Sequence, residues 1–216
     1  SSVAEFHYLH HAPGGAQYDE PNAMAEALRQ AAADAGVRLT LLDACYLTGG
    51  LDGSGHLPPD PVQRRFCDPD VDAWAARVGA LRESDGTRIG AAIHSVRGVP
   101  REALAAVRAV AGGRPLHVHL SEQPAENEAC LAYYGKSPAE LLASEGVLGG
   151  TLTAVHATHL TDGDIRLLGA SGSTACFCPT TERDLADGIG PATALRDAGA
   201  ALSLGSDQHA VIDMFE

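Results

Sequence analysis

Positive charge is scarce in this sequence. Fifteen Lys and Arg residues face 28 Asp and Glu, a formal net charge of −13, and Lys136 is the only lysine. Nucleic acids and anionic membranes are held by basic fields, so neither is expected as a partner. A Schiff-base role for Lys136 has no supporting neighbour in the sequence. No apolar run approaches the roughly 20 residues that a bilayer span needs. The opening SSVAEFHYLHH has neither a basic n-region nor a continuous apolar stretch, so no secretory signal is expected. The five cysteines (Cys45, Cys67, Cys130, Cys176 and Cys178) are odd in number and form no C-x-x-C. That argues against a disulfide framework and against a thiolate zinc site, and a reducing, cytoplasmic setting is expected. Cys176 and Cys178 alternate on an apolar run and are read as core packing.

What is present is a 216-residue chain, 45% hydrophobic, long enough for one large domain. Short β-branched runs alternate with Ala/Leu-rich helical runs. Strands are expected over 3–10, 38–47, 88–95, 115–121, 151–158, 173–179 and 201–207. Helices are expected over 22–35, 70–83, 101–111, 126–134 with 138–145, 162–168 and 191–198. Gly36, Gly112, Gly146, Gly169 and Gly199 follow helical runs as stop signals. This alternation means βαβ units and an α/β fold with a parallel sheet. A doubly wound sheet and a (β/α)8 barrel of TIM type both fit. The lack of G-x-G-x-x-G after the first strands favours the barrel. One connection, 48–66 (TGGLDGSGHLPPDPVQRRF), breaks the rhythm, and long Gly/Pro-rich loops of this kind are usually functional.

The strand ends carry the chemistry. In a barrel, catalytic groups gather at the carboxyl ends of the strands. Here those ends read EFHYLHH, IHSVR, HVHLSEQ, VHATH, CFCPTTE and LGSDQH. Five or more strands delivering His, Asp or Glu to one rim point to a catalytic or metal site. His119, Glu122, His156 and Asp207 have the side chains of a zinc hydrolase. Imidazole and carboxylate suit a divalent ion, and a nearby carboxylate can move protons.

HVHLSEQ, VHATHL, CPTTERDLADG and GSDQH, in that order, resemble the amidohydrolase superfamily. With HSVRGV and the early EFHYLHH, they look like its formimidoylglutamate deiminases. The resemblance runs over essentially the whole chain. It implies zinc-dependent hydrolysis of the formimino C–N bond of N-formimino-L-glutamate, giving N-formyl-L-glutamate and ammonia, in histidine degradation. His119 and Asp207 would ligate one zinc per subunit, Asp207 also taking a proton from water. Glu122 would pass a proton to the leaving nitrogen, and His156 would hydrogen-bond the attacked group. Arg97, with His94 and Tyr8 beside it, would bind a substrate carboxylate, as a planar guanidinium does. The family further suggests a homodimer.

Two features of the family pattern are absent from the sequence: the first-strand H-x-H, which supplies two further zinc ligands, and the small β domain. His117-x-His119 is too late in the chain to be that motif and is read as part of the fifth-strand element. The chain is therefore expected to be an excerpt, one partial barrel domain over 1–216 holding strands two to eight, with AVIDMFE starting a helix. Two alternatives remain open. One is a related deaminase of a ring substrate of guanine or triazine type. The other is a truncated, non-catalytic relative that binds a similar ligand.

Overall fold

A computed structural model describes residues 1–208. The helix start expected over 210–216 lies outside the described residues. Two compact units make up the chain, Ser1–His117 and Val118–Glu216.

In the first unit, β1 (Ser2–His7), β2 (Arg38–Cys45) and β5 (Thr87–Ile93) are parallel neighbours in that order. The register sets His7 beside Asp43 and Cys45 beside Ile93. β2 is buried on both faces, which explains its nearly unbroken apolar run. On one face, Leu39, Leu41 and Ile89 pack against Ala25 and Ala32 of α1 (Ala23–Asp34). On the other, Leu42, Ala44 and Ala92 meet Phe6 and Tyr8. α2 (Val71–Ala80) is capped by Asp70, whose carboxylate accepts from the Ala73 amide, and α3 (Arg101–Ala111) follows β5.

Within 48–66 the structure differs from a plain loop. β3 (Gly50–Asp52) and β4 (Gly55–Leu57) form an antiparallel hairpin around Gly53-Ser54. Its base is tied down, because the Thr48 hydroxyl donates to the Arg97 carbonyl at 3.0 Å.

The second unit continues the alternation after β6 (Leu116–Leu120), with β7 (Leu152–His156), β8 (Thr174–Phe177) and β9 (Ala201–Leu204) in parallel order. Its helices are α4 (Pro124–Tyr134), α5 (Pro138–Ser144), α6 (Asp162–Ser171), α7 (Pro179–Asp184) and α8 (Ala192–Asp197). Ser137 and Thr161 open α5 and α6 with capping boxes to Glu140 and Asp164. The Ser137 hydroxyl also donates to Asp164, joining the two caps. Gly169 lets α6 approach α8. A Cβ there would stand 2.2 Å from the Ala198 carbonyl oxygen, closer than any real contact. α7 was not expected from the sequence, although Pro179 sits at its first position, where a missing N–H costs nothing.

Seven parallel strands alternate with helices among the described residues, as expected for an incomplete (β/α)8 barrel. The strand ends are the consistent departure. β1, β7 and β9 stop at His7, His156 and Leu204, two or three residues before the expected limits at 10, 158 and 207. At β7 the backbone turns at once, because His156 and Ala157 take positive φ values of 68° and 49°; Ser121 after β6 and Asp207 after β9 do the same at 50° each. A left-handed residue does not continue a strand, so the β7 ladder ends at His156.

Candidate active site

Among the described residues, four of the five non-glycine residues with positive φ lie at or just past the carboxyl ends of β6, β7 and β9. Each costs on the order of 1–3 kcal/mol, and such strain clusters at functional sites. These ends carry the residues singled out above.

His119 leaves β6 and His156 ends β7. Their rings lie 5.6 Å apart and within 25° of parallel. Asp207 follows β9, and ligand atoms of His119, His156 and Asp207 all lie within 4.8 Å of one another. The Glu122 carboxylate is 3.6 Å and that of Asp207 3.9 Å from His156 Nε2. His156 Nδ1 faces Glu182 at 3.3 Å. Glu182 is itself fixed, since its Oε1 accepts from the Cys178 amide at 2.7 Å. The imidazole is thus held by one carboxylate at Nδ1 and presented through Nε2 to two others. Burial disfavours its charged form. The Glu182 hydrogen bond and the charges of Glu122, Asp207 and Glu182 outweigh that, and the His156 pKa is raised.

The surrounding loops brace these groups. Gln123 donates to Asp187 at 3.1 Å, and His159 Nε2 meets the Asp187 carbonyl at 2.7 Å. Asp187 is buried and ties the segment after β6 to the one after β8. The Gln208 amide donates to Thr181 of α7, which holds the turn carrying Asp207.

Two nitrogen donors and one carboxylate oxygen within reach of a common point, with carboxylates left over, fit a zinc ion that keeps an open position. Sequence reasoning placed His119, Glu122, His156 and Asp207, which the structure brings together. It missed Glu182, although CPTTE was read as a motif. The signal available was an acidic residue in the first turn of a Pro-initiated helix directly after a strand end.

The first unit holds the other named residues. Tyr8 meets His94 edge-on at 5.4 Å, and His94 stacks on Tyr46 at 3.9 Å. Phe66 joins them edge-on to Tyr8 at 5.3 Å. Gly98 admits this stack, because a Cβ there would lie 2.9 Å from the His94 ring and from Tyr46. The His94 pKa is pushed down to about 3, by burial first and then by the Arg97 charge. Tyr8 and His94 therefore belong to one aromatic cluster, and the Arg97 charge acts on the His94 ring.

The first unit also contains a buried ionic network that the sequence reading did not foresee. Asp43 accepts from both terminal nitrogens of Arg77, at 2.7 and 2.9 Å, and from Trp74 Nε1 at 3.2 Å. Arg77 also reaches Asp68 at 2.8 Å, and His11 lies 3.4 Å from Asp68. Burial opposes the Arg77 charge, but the Asp43 and Asp68 carboxylates outweigh it and its pKa rises. Burial pushes His7 down to about 4 and His10 down to about 3. These histidines are neutral in the folded protein and titrate near 6.5 when unfolded. Their stabilisation is present above pH 6.5 and is lost as pH falls toward 4 and then 3. Each contributes up to about 1.4 kcal/mol per pH unit across that window. Urea midpoints are expected to drop steadily from pH 7.5 to pH 4.5. A flat profile contradicts neutral burial.

A family model described as the amidohydrolase family matches residues 2–216. A formimidoylglutamate deiminase from Pseudomonas aeruginosa is 34% identical over 220 residues, covering 100% of this chain and 48% of the relative. The chain thus spans about half the length of the curated relative it matches end to end. A crystal structure of an amidohydrolase from Brucella melitensis superposes with a TM-score of 0.90 at 34% identity, over 97% of this chain and 47% of that one. An adenosine deaminase from Xanthomonas campestris, solved with bound zinc, gives a TM-score of 0.68 at 26% identity, over 84% of this chain and 39% of that one. Among the described residues no helix is long and apolar enough to cross a membrane.

Proposed function

The chain belongs to the amidohydrolase family, and from that premise we propose that it carries most of the active site of a zinc-dependent deiminase. The reaction is hydrolysis of the formimino C–N bond of N-formimino-L-glutamate to N-formyl-L-glutamate and ammonia. The observation that carries the reading is the convergence of His119, Glu122, His156 and Asp207 at strained strand ends. End-to-end similarity to a formimidoylglutamate deiminase supports this substrate.

His119 and Asp207 would hold the zinc, with His156 beside them. When bound, zinc supplies Lewis acidity toward water and the substrate. The chain's own groups do the rest. Asp207 accepts a proton from the attacking water. His156, fixed at Nδ1 by Glu182, directs Nε2 toward the formimino group and stabilises charge that develops there. Glu122 delivers a proton to the amino nitrogen, so that ammonia leaves as the C–N bond breaks. Arg97 pairs with a substrate carboxylate, which reconciles an acidic protein with a dianionic substrate. The protein would act as a homodimer in the cytoplasm, on this small molecule alone.

A ring-substrate deaminase is the second reading, and similarity to an adenosine deaminase favours it. Arg97 separates the two, because a neutral heterocycle needs no carboxylate clamp. Arg97→Ala is expected to lower kcat/KM for N-formimino-L-glutamate by roughly 30- to 1000-fold, mostly through KM, from the loss of about 2–4 kcal/mol. Unchanged turnover of that substrate, measured as ammonia release, rules out the assignment.

A further inference from the structure

The sulfur atoms behind His156 are more than packing. Cys178 is buried and offers its sulfur as one of three ligand atoms, with His156 and Glu182, that lie within 4.8 Å of one another. Cys176 is close by: a Cβ on Gly205 would stand 3.1 Å from Cys178 Sγ and 3.3 Å from Cys176 Sγ. Both thiols of the C-x-C therefore converge over one glycine. The sequence reading assigned them to the core because they alternate on an apolar run. The donor set assembles instead from a strand end, the next strand and the helix after it.

We propose that Cys178, Glu182 and Nδ1 of His156 form a second metal site, for a thiophilic divalent cation, with Cys176 as the candidate fourth donor. Its chemistry differs from that of the His119–Asp207 centre, which offers only nitrogen and oxygen. Sulfur, imidazole and carboxylate together suit zinc, cobalt or cadmium. Around tetrahedral zinc, with bonds of about 2.0–2.3 Å, ligand atoms stand roughly 3.3–3.8 Å apart. Closing the site from its present spacing needs side-chain shifts of about 1 Å or less. All three residues are buried, so few waters compete. Glu182 also lines a groove of about 560 Å³ with Phe177, Pro179 and Leu204, which provides an entry path.

Binding exchanges protons for the cation. Cys178 gives up its thiol proton to solvent, and His156 binds through Nδ1 as neutral imidazole, losing one proton to solvent if it starts as imidazolium and only changing tautomer if it starts neutral. The remaining imidazole N–H then resides on Nε2, and the Glu182–His156 hydrogen bond is gone. Occupancy withdraws His156 from the geometry used in the proposed reaction, so the site is inhibitory. The existence of the site does not depend on that reaction.

The test is cobalt(II) titration of the purified chain, read by near-ultraviolet absorption. Cobalt held by nitrogen and oxygen alone gives no thiolate charge-transfer band, so the band reports only the second site. The wild-type chain is expected to develop a saturable band. Cys178→Ser is expected to lose at least four-fifths of it, whereas Cys45→Ser and Cys130→Ser keep it. Glu182→Gln preserves shape and is expected to raise the half-saturating cobalt concentration about tenfold, which decides the matter even if Cys178→Ser does not fold. Cobalt bound without the band, an equal band in Cys178→Ser, or an unshifted titration in Glu182→Gln would each overturn the proposal.

Discussion

His156→Ala is expected to lower kcat for ammonia release by roughly 10²- to 10⁴-fold, with KM changed far less. The asymmetry follows from what the side chain touches. Nε2 faces Glu122 and Asp207 at 3.6 and 3.9 Å, where the proposed chemistry occurs. The substrate carboxylate is assigned to Arg97. Removing the imidazole also strips Glu182 of its Nδ1 partner, although Glu182 keeps its hydrogen bond from the Cys178 amide. The expected stability cost is therefore modest, about 1–3 kcal/mol. Steady-state kinetics and a thermal melt on the same zinc-loaded preparation separate the two effects. A variant that melts normally and retains more than a tenth of wild-type kcat removes His156 from the mechanism.

Asp43→Ala is expected to be the most damaging single change to stability, about 3–5 kcal/mol. Asp43 is fully buried in the middle of β2 and takes three hydrogen bonds, two from Arg77 and one from Trp74. Its removal leaves the Arg77 guanidinium buried with Asp68 as its main counter-charge. Breaking such a pair costs far more than the pair itself contributes, because a charge that has lost its bidentate partner stays in the core. Replacing both members, Asp43→Leu with Arg77→Met, is expected to recover much of the loss. Urea denaturation of the single and double variants measures this. An Asp43→Ala penalty below about 1 kcal/mol means that the network relaxes and carries little.

The two networks were unequally legible in the sequence. His119, Glu122, His156 and Asp207 were readable because each stands at the end of an apolar run, and a barrel sends such positions to one rim. Their geometry was not readable. The left-handed turns at Ser121, His156 and Asp207 come from the chain leaving the sheet, which local strand propensity does not register. Asp43 is a lone acid inside LLDAC, a visible anomaly. Its partner Arg77 is 34 residues away on a different element, and no local pattern joins them. The hairpin inside 48–66 did carry a signal, a Gly-Ser pair between short flanking runs, but the Gly/Pro content of the segment masked it.

Ammonia release from N-formimino-L-glutamate by the zinc-loaded protein tests the central claim most directly, with a ring substrate and zinc-free protein as the two controls. The account predicts turnover that requires zinc, strongly favours the dicarboxylate over the ring compound, and collapses in His156→Ala and Arg97→Ala. Zinc-dependent turnover of the ring compound alone, or binding of N-formimino-L-glutamate without any ammonia released, would contradict it.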